Sequence, residues 1–184
     1  MTELRGRRVR LRGFRPDEVA LALDRMQTIP AAELDADAAR ERRERIERSG
    51  DRNDWEIMFA IEADGRLVGD VQCRCPRFAM PPGVWELGIE LWDAADRGRG
   101  IGTEAVGLLS SHLFAHEEAI RVQATTDVDN AAMRRVLEAL GFEFEGVLRG
   151  FMPDRGGPPR DYAMYGLTRH DWERTVSKGW MPTS

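Results

Sequence analysis

With 184 residues, the chain has the length of one domain and enough of it to bury a substantial core. Apolar residues make up 42% and charged residues 32%, and no apolar run approaches a membrane span, which argues against a helical membrane protein. Lys178 is the sole lysine, and arginines interleave with carboxylates around a net charge of −5, so no basic face is offered to nucleic acid and cationic ligands are modestly favoured.

The opening Met1-Thr2-Glu3-Leu4-Arg5 has no apolar signal core, and a cytoplasmic location is the expectation. Val9 to Phe14 alternates apolar side chains and predicts a first strand. Arg15-Pro16-Asp17 then opens a helix predicted over 15–27, with proline in its first turn. Asp35 to Ser49 predicts a second helix, laced by Arg40/Glu44, Glu41/Arg45, Arg43/Glu47 and Glu44/Arg48 at i,i+4, with few apolar anchors beyond Ala39 and Ile46. Such a helix is weakly held by a core.

Trp55, Ile57, Phe59 and Ile61 alternate, Asp64-Gly65 makes a tight turn and Leu67 to Cys75 returns, which is a hairpin signature. Leu67, Val71, Cys73 and Cys75 are its expected inward positions, the cysteines reading as small apolar side chains. With no second cysteine pair or histidine cluster nearby, neither a metal site nor a cytoplasmic disulfide is expected. After a loop from Pro76 to Gly83 comes a strand whose Trp85, Leu87, Ile89 and Leu91 face one side while Glu86, Gly88 and Glu90 face the other.

The next stretch, Arg97-Gly98-Arg99-Gly100-Ile101-Gly102-Thr103, separates that strand from a helix running to His116. Small residues let backbone approach an anion, the helix start supplies unpaired N–H groups and a positive dipole end, and two arginines add charge. A Walker loop would end in Lys followed by Ser or Thr, whereas Gly102-Thr103-Glu104 brings a carboxylate, which argues against ATP or GTP. A dinucleotide fingerprint read from Gly98 through Gly100 requires glycine where Thr103 stands, which argues against NAD. What remains is Arg-x-x-Gly-x-Gly, in which successive amides cradle a pyrophosphate without metal or lysine. Ile101, Ala105, Leu108, Leu109 and His112 form the apolar stripe of the helix, and His112 with His116 lacks the further ligands of a metal motif.

A strand follows at Ile120 to Thr126, then Asp127-Val128-Asp129-Asn130 and a helix with the stripe Met133, Val136, Leu137 and Leu140, closing on Leu140-Gly141-Phe142. Phe142 to Phe151 and Asp161 to Thr168 predict the last two strands, joined by the turn-rich segment 153–159. This succession, from the Arg-x-x-Gly-x-Gly loop through Asn130 to Leu-Gly-Phe, resembles the GNAT superfamily of N-acyltransferases over roughly residues 7 to 172. The run Asp161-Tyr162-Ala163-Met164-Tyr165-Gly166-Leu167 is similar to the last strand of the branch that acetylates N-termini of ribosomal proteins.

The resemblance implies a single α/β domain over residues 1–176, with a flexible tail at 177–184. Its sheet would be mixed and mostly antiparallel, flanked by helices and splayed between the fourth and fifth strands. It implies acetyl-CoA as co-substrate, held at Arg97, Gly98, Arg99, Gly100, Ile101, Gly102 and Thr103, with Leu91 and Trp92 giving main-chain contacts and Asn130 meeting the pantetheine arm. Arg134 and Arg135, one turn beyond Asn130, are in reach of the ribose phosphate, with surface salt bridges as their alternative. It also implies that Asp35 to Ser49 lies over the acceptor site as a lid.

Acetyl transfer to an amine requires a lone pair on nitrogen, so a base must take the ammonium proton. Glu86 is the first candidate, acting through water, and Glu90 the second; both would be costly on an apolar strand unless they face a cleft. Their alternative is pairing with arginine. The family's tyrosine and serine acids are replaced here by Leu137 and Met133, which leaves the acid open, with Tyr162 and Tyr165 as substitutes or core residues. The reading is an N-acetyltransferase for a primary amine, whether protein N-terminus, antibiotic or small metabolite, and its competitor is a non-catalytic acyl-CoA sensor. Trp92, Phe151 and Trp180 would cover a partner if exposed, so monomer and homodimer both fit.

Overall fold

A pleated strand puts alternate side chains on opposite faces, and the central strands of this protein bury both. The computed structural model describes residues 2–26, 35–76, 78–154 and 156–177. Its strands are β1 (Leu4–Arg5), β2 (Val9–Arg12), β3 (Glu56–Ala63), β4 (Arg66–Arg74), β5 (Val84–Leu91), β6 (Arg121–Asp127), β7 (Glu143–Met152) and β8 (Arg160–Thr168). Its helices are α1 (Val19–Arg25), α2 (Ala36–Glu47), α3 (Ile101–His116), α4 (Ala131–Ala139) and α5 (Arg169–Ser177), with single 3-10 turns at Pro16–Glu18 and Ala94–Asp96. The strands form one sheet in the order β1-β2-β3-β4-β5-β6-β8-β7, in which β5 and β6 alone run parallel.

On one face, Ile57, Phe59 and Ile61 of β3, Val71 and Cys73 of β4 and Trp85 and Leu87 of β5 meet Ile101, Ala105, Leu109 and Leu113 of α3. On the other face, Met58 and Ala60 of β3 are covered by Phe14, Val19 and Ala22 from the α1 region and by Ile46 of α2. The expected stripe of α3 is buried throughout, His112 included. Burial holds the His112 pKa below its usual value, and its Nε2 lies 3.6 Å from a Glu117 carboxylate oxygen.

Three features depart from the sequence reading. Leu67 lies on the α1 and α2 face, because a bulge opposite Ile61 and Glu62 changes the parity of β4 and Val68 takes the inward place. Arg45 does not pair with Glu41 along the helix surface: its guanidinium turns down to the buried Glu56, with Nε 2.9 Å from Oε2, and pins α2 to β3. Two short elements went unread, β1 and α5; the latter lies on α3 through the stack of Trp172 on Phe114, ring centroids 5.3 Å apart. The Asp35 N-cap, accepting from Ala38 N–H at 2.8 Å, starts α2 where expected. Phe151 is exposed and Trp92 half-buried. Gln27, at the end of the first predicted helix, Trp180 and the tail beyond Ser177 lie outside the described residues.

Because β1 adds a strand at the sheet edge, the expected opening lies between the fifth and sixth strands. It is the same pair of segments. β5 is in register with β6 only at Val84, Trp85 and Glu86, opposite Arg121, Val122 and Gln123. Beyond Glu86 the two part. On its other side β5 stays paired with β4 as far as Leu91, and there Gly69 makes the close approach possible: a Cβ at that position would sit 2.1 Å from Glu90 O. Gly69→Ala must push β4 from β5, and a loss of about 2 kcal/mol in denaturant unfolding is expected. An unchanged midpoint would contradict this packing.

Candidate active site

The hydrogen-bond phase of β5 determines what its free edge offers. Trp92 N–H donates to Val68 O at 3.1 Å, so even-numbered residues of β5 direct their N–H and C=O toward β4. Ile89 and Leu91 therefore direct theirs toward β6, where there is no longer a strand to pair with. Unpaired amides in a gap call for a ligand or water.

A cleft of about 570 Å³ occupies this gap, lined by Ile89, Glu90 and Leu91 of β5, by the loop at Arg97, Gly98, Gly100, Gly102 and Thr103, and by Asn130, Met133, Arg135 and Val136 beside and on α4. Gly98 (φ 70°) and Gly100 (φ 81°) hold left-handed conformations, and a Cβ on either would meet no protein atom within 4 Å. Gly100 is the N-cap of α3, with no side-chain cap on the helix amides. The first turn of a sixteen-residue helix is thus aimed at open space, a ready anion site. Ile101 anchors the turn from below, buried in the core.

Several expected residues take other places. Arg97 lines the cleft and donates from Nη2 to Leu91 O at 3.1 Å, holding the loop against β5. Arg99 turns away: its guanidinium bonds Asp64 at 2.9 Å and Asp96 at 3.3 Å, and it borders a separate surface cavity with Arg7 and Arg8. Its main chain stays in the loop, but its charge is spent elsewhere. Glu104, whose carboxylate stood so near the loop in sequence, accepts from the Arg8 amide at 3.0 Å on that same far side.

Asn130 caps α4, its Oδ1 accepting from Met133 N–H at 3.1 Å, which leaves its NH₂ donors toward the cleft it lines. The Arg134 guanidinium donates to Val128 O at 3.1 Å and to the Tyr165 hydroxyl at 3.1 Å, and of the two arginines beyond Asn130 it is Arg135 that lines the cleft. Tyr165 is wholly buried and donates to Glu138 at 2.9 Å, so it is a core residue. Tyr162 instead lines a neighbouring cavity with Thr125, Asp127 and Arg160, which shares Arg97 and Asn130 with the cleft. Trp92 points away from the cleft. It stacks on Phe14 at 6.3 Å, and both its main-chain N–H and its indole N–H are already donated.

On the opposite face of β5, Glu86 and Glu90 flank Gly88, and their cross-strand neighbours on β4 are Arg74, Asp70 and Gln72 in turn. Among the described residues neither glutamate carboxylate forms a hydrogen bond or ion pair, in contrast to Glu56. Glu86 stands where β5 and β6 begin to part, in register with Gln123. Asp70 was missed by sequence reasoning. It is 3% exposed, accepts from the Trp92 indole N–H at 3.1 Å, and lies opposite Glu90. Burial pushes its pKa up to about 7 against the indole hydrogen bond, with the Glu90 charge adding to the rise and Arg42 opposing it. The signal in the sequence was an aspartate alternating with apolar residues on a hairpin strand.

Residues 8–143 match the family model described as acetyltransferase (GNAT) domain. A probable N-acetyltransferase of Bacillus subtilis, YjcK, is 35% identical over 114 residues, 59% of this chain and 58% of that protein, so the match spans under two thirds of its length. A kanamycin resistance protein of Rhizobium radiobacter is 35% identical over 97 residues, 52% of this chain and 82% of that one. Among solved structures, Mycobacterium smegmatis RimJ in complex with CoA-disulfide superposes with a TM-score of 0.69 at 23% identity, covering 93% of this chain and 89% of that one, a likeness of fold.

A carboxyl whose folded pKa lies above its unfolded value binds more protons folded than unfolded between the two. Asp70 therefore costs stability progressively as pH rises from about 4 to about 7. Asp70→Asn keeps an acceptor for the Trp92 indole and removes that cost. The variant is expected to gain thermal stability over the native protein at pH 8 relative to pH 5; equal differences at both pH values would contradict the burial of an ionisable Asp70.

Proposed function

Since the chain belongs to the acetyltransferase (GNAT) family, we propose that it moves an acetyl group from acetyl-CoA to a primary amine by direct attack on the thioester. The observation that carries this reading is the cleft between β5 and β6, with the glycine loop and the bare start of α3 at one end and unpaired β5 amides along its wall. Bound there, acetyl-CoA supplies an activated carbonyl and a thiolate leaving group, which departs without an acid because a thiol is far more acidic than an amine.

The chain's own residues divide the remaining work. Amides of 98–103 and the α3 dipole bind the pyrophosphate, with Arg97 and Arg135 adding charge. The Leu91 main chain, Asn130, Met133 and Val136 hold the pantetheine. The Ile89 N–H, aimed into the gap, stabilises the oxyanion of the tetrahedral intermediate. Glu86, at the point where the strands part, acts through water as a base for one of the two protons the amine must lose, and Glu90 is the second carboxylate of the site.

Residues 1–176 act as the one catalytic domain, as a monomer or homodimer in the cytoplasm. The acceptor enters over Gly88 from the face that α1 and α2 cover, where α2, pinned by Arg45 and Ile46, serves as a lid. Relatives whose names point to N-acetylation and kanamycin resistance support an amine acceptor and leave its class to assay.

The test is CoA release from acetyl-CoA with kanamycin, 1,4-diaminobutane and an alanine-initiated tetrapeptide as acceptors. Release is expected with at least one, and Glu86→Gln should slow it by about 100-fold near neutral pH. Turnover in Glu86→Gln equal to native across pH 6 to 9 would remove Glu86 from the role of base.

A further inference from the structure

An alkylammonium carries three hydrogens on nitrogen and the amide it becomes carries one, so acetylation must dispose of two protons. The first leaves before attack, to free the lone pair, and the second leaves the nitrogen once the C–N bond has formed. One carboxylate standing alone would have to empty itself between the two events. Glu90 has a second carboxyl group, that of Asp70, directly across the β4–β5 strand pair. Asp70 and Glu90 are directly opposed on an antiparallel pair, on the face where the acceptor is proposed to enter, one buried and one at the cleft wall. Like charges in that relation repel at close range, and a shared proton relieves the repulsion.

Resting on the acetyltransferase reading above, we propose that Glu90 and Asp70 act as a relay for the first proton, while Glu86 receives the second. The ammonium N–H bond breaks as an O–H bond forms on Glu90. Glu90 then passes a proton to the Asp70 carboxylate, so the net change is one proton moved from nitrogen to the buried carboxyl. The lone pair left behind attacks the carbonyl carbon, the C–S bond breaks, and the second proton goes through water to Glu86. Asp70 acts through Glu90 and is a positioning residue; Glu90 is the catalytic member.

The surroundings of Asp70 suit a proton store that changes charge near neutrality. Its charged and polar neighbours are Glu90 and the Trp92 indole from β5 and Arg42 from α2; β3 presents Ala60 across from it, and Arg45 of α2 is engaged with Glu56. The indole bond at 3.1 Å favours the carboxylate, while burial and Glu90 favour the acid. Trp92 is itself held by its stack on Phe14, with rings 9° from parallel.

The experiment has two arms on the full chain. Carbon-13 carboxyl NMR from pH 4 to 9 should show an aspartate titrating near neutrality that disappears in Asp70→Asn, titrates lower in Glu90→Gln and higher in Trp92→Phe. An Asp70 signal that is flat over this range, or indifferent to Glu90→Gln, would overturn the relay. In the second arm, kcat is followed against pH with whichever of kanamycin, 1,4-diaminobutane or the alanine-initiated tetrapeptide releases CoA fastest. Asp70→Asn should lose at least about tenfold at pH 7 with the acetyl-CoA KM unchanged, and the loss should shrink toward pH 9.5, where the amine arrives with fewer protons to shed. A loss independent of pH would mark Asp70 as structural and end the proposal. Failure of all three amines to release CoA would count against the acceptor reading, and the NMR arm would still decide the carboxyl pair.

Discussion

β5 and β6 hold together for three residue pairs and then separate. Parallel strands inside a sheet ordinarily satisfy each other's amides along their length, so a gap there is costly unless something fills it. Most of the architecture serves to keep that gap open. β4 clamps β5 on its far side through the close contact at Gly69, β8 clamps β6 over its whole length, and α3 and α4 pack beneath the two halves. The ligand-facing surface is therefore made of backbone held by strands and helix ends, which moves less than side chains on loops would.

Charge is distributed with the same selectivity. The protein is rich in arginine, and carboxylates away from the gap are paired: the buried Glu56 with Arg45 and Asp96 with Arg66 and Arg99, and the half-buried Glu18 and Glu62 with the buried Arg12. Glu86, Glu90 and Asp70 lie together on one face of β4 and β5 and form no ion pair among the described residues. Of the three, Asp70 is buried beneath the Trp92 indole, and that burial raises its affinity for a proton.

Much of this was legible in the sequence because it rests on local rules. Alternation in Val84–Leu91 separated the core face from the glutamate face, and the glycines after Arg97 marked the loop that lines the cleft, where Gly98 and Gly100 take positive φ. What escaped depended on contacts distant in sequence. Arg134 and Arg135 are adjacent on α4, and only the position of the Tyr165 hydroxyl and Val128 O decides which one turns inward. Arg99 is drawn from the loop by Asp64, in a turn 35 residues earlier. Leu67 and Val68 exchange faces through a one-residue bulge that periodicity cannot see, and Asp70 gained meaning only when Trp92 and Glu90 were found against it. The helix α5 carries a charged sequence whose hold on α3 comes from Trp172 stacked on Phe114 and from Arg169, which donates to Phe114 O at 2.9 Å.

The claim on which the rest stands is that the gap and the α3 start form one acetyl-CoA site. Calorimetric titration of the native chain and of Gly100→Asp with acetyl-CoA tests it most directly, because a side chain at Gly100 meets no protein atom and places its bulk and negative charge where the pyrophosphate would lie. Saturable binding at one site per chain is expected in the native protein, lost in a variant that remains folded. Absence of binding to the native protein, or unaltered binding to Gly100→Asp, would contradict it.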